Sequence, residues 1–168
     1  MQSGKPVIYV ATAQIEPADL EWRLRIEQHR CRRPLEWVTQ EVPHSLASSM
    51  IAAQPHSCLL IDSLGTWVAN LLEQDSDLWE QTVQDFCSSL TQITAQEIIL
   101  VAEETGWGVV PSYEIGRTFR DRLGNLVRRL GAIANCVYLV TGGYVLNLSA
   151  LGSPIPVSVQ GSQIRGPR

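Results

Sequence analysis

Four short and nearly unbroken apolar runs set the main constraint on this 168-residue chain. They occupy residues 7–11, 57–62, 98–102 and 136–140. Each has the length of a strand and lacks the polar alternation of a half-exposed one. Strands of this kind need cover on both faces. The sequence therefore predicts an α/β fold, a mostly parallel sheet with helices on both faces. A further strand is expected over 37–42. Helices are expected over 20–31, after Pro17, and over 44–53, 64–74, 78–95 and 113–134. Residues 149–168 are rich in Ser, Gly and Pro and read as a loose tail behind a single α/β domain of residues 1–148.

Ligands of such sheets sit beyond the carboxyl ends of the strands. Three polar groups fall there: Thr12-Ala13-Gln14, Asp62, and Glu103-Glu104. A second signal is charge. The chain carries a net charge of -4, yet Arg25, Arg30, Arg32 and Arg33 crowd around His29. Local positive charge in an acidic chain points to an anion site and argues against a broad nucleic-acid surface. Of the thirteen basic residues only Lys5 is a lysine, and arginine suits bidentate phosphate contacts.

His29 has two readings: a surface histidine near a helix end, or a nucleophile toward a nucleotide α-phosphate. In the second, the arginines neutralise charge that develops on the phosphoryl oxygens. Leu59-Leu60-Ile61-Asp62 resembles a Walker B strand, whose acid sits near Mg2+, although many buried strands also end in Asp. Ser3-Gly4-Lys5 does not make a phosphate-binding loop. It lacks the upstream glycine, Pro6 replaces the hydroxyl residue, and a strand follows where a helix is needed. Arg117, Arg120 and Asp121 read as helix-surface ion pairs. Trp22, Trp67, Trp79 and Trp107 read as packing residues. No role is assigned to His44 or His56. Cys58 and Cys136 read as buried thiols. With no C-x-x-C pair, a reducing cytoplasm fits better than a disulfide framework. No apolar run approaches the ~20 residues of a membrane span.

Taken in order, these pieces resemble the bifunctional adenosylcobinamide kinase / adenosylcobinamide-phosphate guanylyltransferase family of cobalamin biosynthesis. The matching residues begin with Tyr9 to Gln14, then Arg25-Ile26, His29, Arg33-Pro34, Trp37, Thr39 and Glu41. Leu60-Ile61-Asp62, Trp67 and Asn70 to Leu72 follow. Glu104, Gly106, Gly108 to Pro111, Arg117, Phe119 to Asp121 and Gly124 complete the series. The resemblance runs from about Val7 to Leu148.

The resemblance implies a P-loop NTPase fold of the RecA-like type. It implies phosphorylation of adenosylcobinamide, then transfer of GMP from GTP to adenosylcobinamide phosphate through a guanylylated histidine. His29 takes that place. Nucleotide contacts would fall on Thr12, Ala13, Gln14, Arg30, Cys31, Arg32, Arg33, Glu41 and Asp62, with Asp62 also beside Mg2+. ATP and GTP are the implied nucleoside triphosphates, and a homo-oligomer is expected. Family members open with a strand and a glycine-rich P-loop that this sequence lacks. A start assigned too far downstream is the expected reason, and it leaves kinase activity of the chain as written in question. Glu103, Val127, Arg128 and Asn135 also depart from the family pattern. The rivals are a non-catalytic nucleotide-binding or assembly subunit and a simple kinase whose histidine is structural.

Overall fold

The computed structural model describes residues 4–53, 55–93 and 97–155. They fall into two compact units that divide between Gly124 and Asn125, within a helix. The first unit holds β1 (Val7–Ala11), α1 (Leu20–Cys31), β2 (Val38–Glu41), α2 (Leu46–Ile51), β3 (Cys58–Asp62), α3 (Leu64–Asn70), α4 (Ser76–Gln92) and β4 (Glu97–Leu100). Helix α5 (Glu114–Ile133) crosses the division. The second unit adds β5 (Tyr138–Thr141), β6 (Tyr144–Asn147) and α6 (Leu148–Leu151).

The first unit is built on a four-stranded sheet of order β2-β1-β3-β4, parallel throughout and flanked by helices. Alternate residues of the two central strands, Ile8, Val10, Leu59 and Ile61, are all buried and share one face by strand parity. Leu46, Met50, Trp67, Val68, Val83 and Phe86 are buried as well and extend the core. Trp67 lies 5.1 Å from Phe86 and 5.9 Å from Trp79, ring centre to ring centre, as tilted aromatic pairs prefer. In α5 the buried Leu123, Leu126 and Leu130 repeat at helical spacing, giving one apolar stripe.

The helix starts follow capping chemistry. Asp19 accepts from the Trp22 amide at 2.9 Å, and Asp75 from the Leu78 amide at 2.9 Å. Side-chain oxygens there satisfy amides that the first turn leaves without partners. Asp75 thus moves the start of α4 two residues ahead of the predicted Leu78.

Several expectations are corrected. The run 136–140 is not a further strand of the parallel sheet. It forms an antiparallel hairpin with β6, in which Thr141 faces Tyr144. Gly142 and Gly143 supply the two positive φ angles, 57° and 80°, that a tight two-residue hairpin turn demands. Cys136 precedes the strand and is exposed, whereas Cys58 is buried as expected. Trp107 is 71% exposed and is no packing residue. The predicted tail opens with α6, and residues 156–168 lie outside the described residues.

Arg122 closes the end of α3. Its guanidinium donates to the carbonyls of Leu71 at 2.9 Å, Leu72 at 3.4 Å and Gln74 at 2.5 Å, and lies 5.0 Å from the Trp79 ring centre. These carbonyls belong to a chain end that the helix cannot satisfy itself. Replacing Arg122 with Ala strands them and should cost about 2–3 kcal/mol, read as a lower urea midpoint. Lysine, a point donor without the planar fork, should recover less than half of the loss.

Candidate active site

The site grows from strand register. Ala11 stands opposite Glu41 on one side and Asp62 on the other, so β1, β2 and β3 finish level. Residues in register share a sheet face. Glu41, Ala11 and Asp62 therefore point one way, as do Thr39, Tyr9 and Leu60 one pleat earlier. Two strand spacings put the Glu41 and Asp62 backbones about 10 Å apart.

Tyr9 is the centre of this face. Its hydroxyl donates to Asp62 Oδ2. The Arg33 guanidinium carbon lies 3.5 Å from the Tyr9 ring centre, and Trp37 stacks on Tyr9 at 6.4 Å. Arg33 Nη1 donates to Thr39 Oγ1 at 3.3 Å. One ring thus holds a cation on its face and an anion at its hydroxyl. A desolvated cation–ring contact of this kind is worth up to about 2 kcal/mol. Burial pushes the Tyr9 phenol up to about 12, reinforced by the hydrogen bond to Asp62 and its negative charge, with Arg33 pulling weakly the other way. The phenol therefore stays a neutral donor across the physiological range.

Arg33 enters from the end of α1. The Arg32 amide bonds to the carbonyls of His29 and Arg30, and the Arg33 amide to Arg30 at 3.2 Å, so the chain keeps turning past the helix. Arg33 lies four residues beyond His29 and ties that helix end to the strand ends. The rest of the basic segment is exposed: His29, Arg30, Cys31 and Arg32. Arg25 pairs with Glu21 at 2.9 Å and Arg30 with Glu27 at 3.9 Å, both in solvent, where such pairs contribute little. Cys31 Sγ donates to Glu27 Oε1 at 3.6 Å. Leu24, Glu27, Gln28, Cys31 and Arg32 line a shallow concavity of about 360 Å³ on one face of α1, and His29 is not among its lining residues.

The loop after β1 divides its work. Thr12 is fully buried. Its hydroxyl donates to the Ser63 carbonyl at 2.8 Å and accepts from the Ser63 amide at 2.9 Å. Its own amide reaches the Asp62 carbonyl at 3.3 Å, and its carbonyl accepts from Asn70 at 2.8 Å. Every polar atom of Thr12 is engaged within the protein, so Thr12 supports the Asp62–Ser63 corner, whose peptide is cis. Ala13 is half-buried. Gln14 is exposed, and its carbonyl accepts from the Trp22 indole at 3.0 Å.

Beside that corner, Ser63 Oγ donates to Glu103 Oε1 at 2.5 Å. Glu103 fills the space in front of Gly65, where an added Cβ would stand 1.9 Å from Glu103 Oε2. Glu104 instead accepts from the Gly106 amide at 2.7 Å. Arg117 donates to the Pro111 and Ser112 carbonyls and Arg120 to the Gly106 carbonyl, so both arginines fasten the loop after β4, a use beyond the predicted surface ion pairs. Among the described residues no group of three His, Cys, Asp or Glu side chains could hold a metal ion. Asp62, with Oδ1 outside the Tyr9 bond, still fits Mg2+, which is commonly held by one or two carboxylates together with substrate phosphates and water.

Sequence reasoning overlooked Tyr9 and Ser63 as members of the cluster. The signal for Tyr9 was parity: it lies two residues before Ala11 and so shares the face of the strand ends.

A tyrosine ionising near 12 in the folded state and near 10 when unfolded has a definite linkage. Its raised value contributes stability that is fully present below about pH 10 and is lost as pH rises toward 12. Tyrosinate absorbance should show a component ionising near 12 that is missing in Tyr9→Phe. That variant should also lose stability less steeply over the same interval.

A family profile described as "Cobinamide kinase / cobinamide phosphate guanyltransferase" matches residues 1–148. The chain is 36% identical over 158 residues to the bifunctional adenosylcobalamin biosynthesis protein CobP of Pseudomonas aeruginosa, covering 92% of this chain and 87% of that one. It is 36% identical to the bifunctional adenosylcobalamin biosynthesis protein CobU of Escherichia coli and 34% identical to its namesake in Salmonella typhimurium, over 151 residues and 82% of each chain. The level strand ends, the His29 segment and this span of similarity coincide, and the chain belongs to the cobinamide kinase / cobinamide phosphate guanyltransferase family.

Proposed function

We propose that this chain phosphorylates adenosylcobinamide and transfers GMP from GTP to adenosylcobinamide phosphate through a guanylylated His29. The observation that supports the residue assignment is the link from the His29 turn through Arg33 and Tyr9 to Asp62. That link supports reading the histidine-bearing segment together with the strand ends, where ligands of such sheets are held.

In the transfer, an imidazole nitrogen of His29 attacks the α-phosphorus of GTP. The N–P bond forms, the bond from that phosphorus to the bridging oxygen breaks, and pyrophosphate leaves with the electron pair. A phosphate oxygen of adenosylcobinamide phosphate then attacks the same phosphorus. The N–P bond breaks, adenosylcobinamide-GDP forms and His29 is restored. Arg33, with Arg30 and Arg32 on the same turn, neutralises charge on the phosphoryl oxygens. Ala13, Gln14, Cys31 and Glu41 border the nucleotide, and Thr12 acts by holding Asp62 in place. Asp62 would hold Mg2+, which supplies further charge neutralisation at the phosphates. ATP or GTP serves as phosphoryl donor in the kinase step.

The reading extends to a cytoplasmic homo-oligomer. Among the described residues no helix is long and apolar enough to cross a membrane. Leu20, Leu24, Leu35 and Val38 are 57–102% exposed, more apolar side chain than a solitary surface helix and strand require.

With GTP labelled in the α-phosphate, the full chain should gain an acid-labile, alkali-stable label. His29→Ala should abolish it, and label retained in that variant overturns the nucleophile. Arg33→Ala should slow labelling by about 10²–10³-fold, the usual cost of one charge-stabilising donor. Light scattering during size exclusion should give a mass of at least two chains, and a strictly monomeric mass overturns the oligomer.

A further inference from the structure

Arg33, in the turn after α1, and Asp62, at the end of β3, carry opposite charges and both meet Tyr9 of β1. Among the described residues they nonetheless form no ion pair with each other. Tyr9 lies between them, with its ring under the guanidinium and its hydroxyl on the carboxylate. A direct arginine–carboxylate fork would cancel both charges and occupy both oxygens. The interposed tyrosine takes only Oδ2 of Asp62 and leaves Oδ1 outside the bond. Arg33 keeps an Nε–H that is shielded from solvent and has no partner among the described residues. A donor so placed is costly to leave unpaired, and an anion reaching it recovers that cost. Thr39 holds another nitrogen of the same guanidinium, so the group is oriented and not merely attracted.

We propose that Tyr9 is a positioning residue that keeps Arg33 and Asp62 apart in fixed geometry, so that both charges stay available to one nucleotide. The guanidinium serves the phosphate oxygens, and the carboxylate serves the nucleotide or its accompanying cation. The inference rests on the reading of His29, Arg33 and Asp62 as one guanylyl-transfer site. It assigns separate tasks to two parts of one side chain. The ring seats Arg33, and the hydroxyl seats Asp62.

The test separates those parts in the full chain, with GMP incorporation from α-labelled GTP as the rate and GTP concentration varied. Tyr9→Phe keeps the ring and should slow incorporation about 10- to 100-fold, as losses of supporting partners do, with little change in KM. Tyr9→Leu loses both seats and should raise KM as well. In an Asp62→Ala background, which removes the acceptor, Tyr9→Phe should have no further effect, because the hydroxyl acts through that carboxylate. A merely structural tyrosine would act equally in both backgrounds and move only the urea midpoint. Full additivity, or a wild-type rate for Tyr9→Phe, overturns the positioning role while the His29 chemistry stands. Label that survives His29→Ala, or no label in the unaltered chain, overturns the transfer reading and this inference with it. If Tyr9→Leu does not fold, Tyr9→Phe, which leaves the packing volume in place, decides the matter.

Discussion

The in-register pairing of β1 with both neighbours is the constraint on which the site depends. Ala11 faces Glu41 and Asp62 at the same level, so three strand ends form one rim. The same register decides what is core. Val10 is fully buried on one face while Tyr9, one residue away, carries the charged cluster on the other. A slip of one residue would exchange them, sending a phenol into the apolar core and a valine to the rim. Thr12 guards against that slip. Its hydroxyl satisfies both the amide and the carbonyl of Ser63, which only a group able to donate and accept can do.

The charges near the site fall into two electrostatic regimes. Arg25 and Arg30 sit in solvent with neighbouring glutamates of their own helix, where water and salt weaken the attraction. Arg33 sits against a buried aromatic ring, where water competes less and orientation is fixed by Thr39. Helix α1 has no buried residue, so Arg33 and Trp37, both past its end, give that segment its contact with the sheet face. The basic stretch is therefore not a uniform patch. It has one anchored member and several exposed ones.

Much of this was legible in the sequence because it rests on local patterns. Unbroken apolar runs specified the parallel strands, and the place of Asp62 at the end of one of them put it on the rim. The helix over 20–31 could be read from Leu20, Leu24 and Ile26 after Pro17. What escaped notice was non-local or a matter of turn geometry. The 136–140 run matched a buried strand in composition, and only the positive φ angles of Gly142 and Gly143 commit it to a hairpin. Tyr9 looked like one more apolar strand residue, because its hydrogen bond spans 53 positions. Arg117 and Arg120 have the spacing of surface ion-pair residues, yet loop carbonyls reached by chain reversal take their donors.

The pairing of Gly65 with Glu103 limits how this corner can change over mutational time. The Glu103 carboxylate stands where any side chain at position 65 would begin, and it bonds to Ser63 from there. A larger residue at 65 would displace that carboxylate and break its bond to Ser63. A shorter residue at 103 would open the space first. The two positions are thus tied in order as well as in identity: a change that begins at residue 65 proceeds by swinging the Glu103 carboxylate aside and giving up its bond to Ser63, whereas one that begins at residue 103 frees the space first.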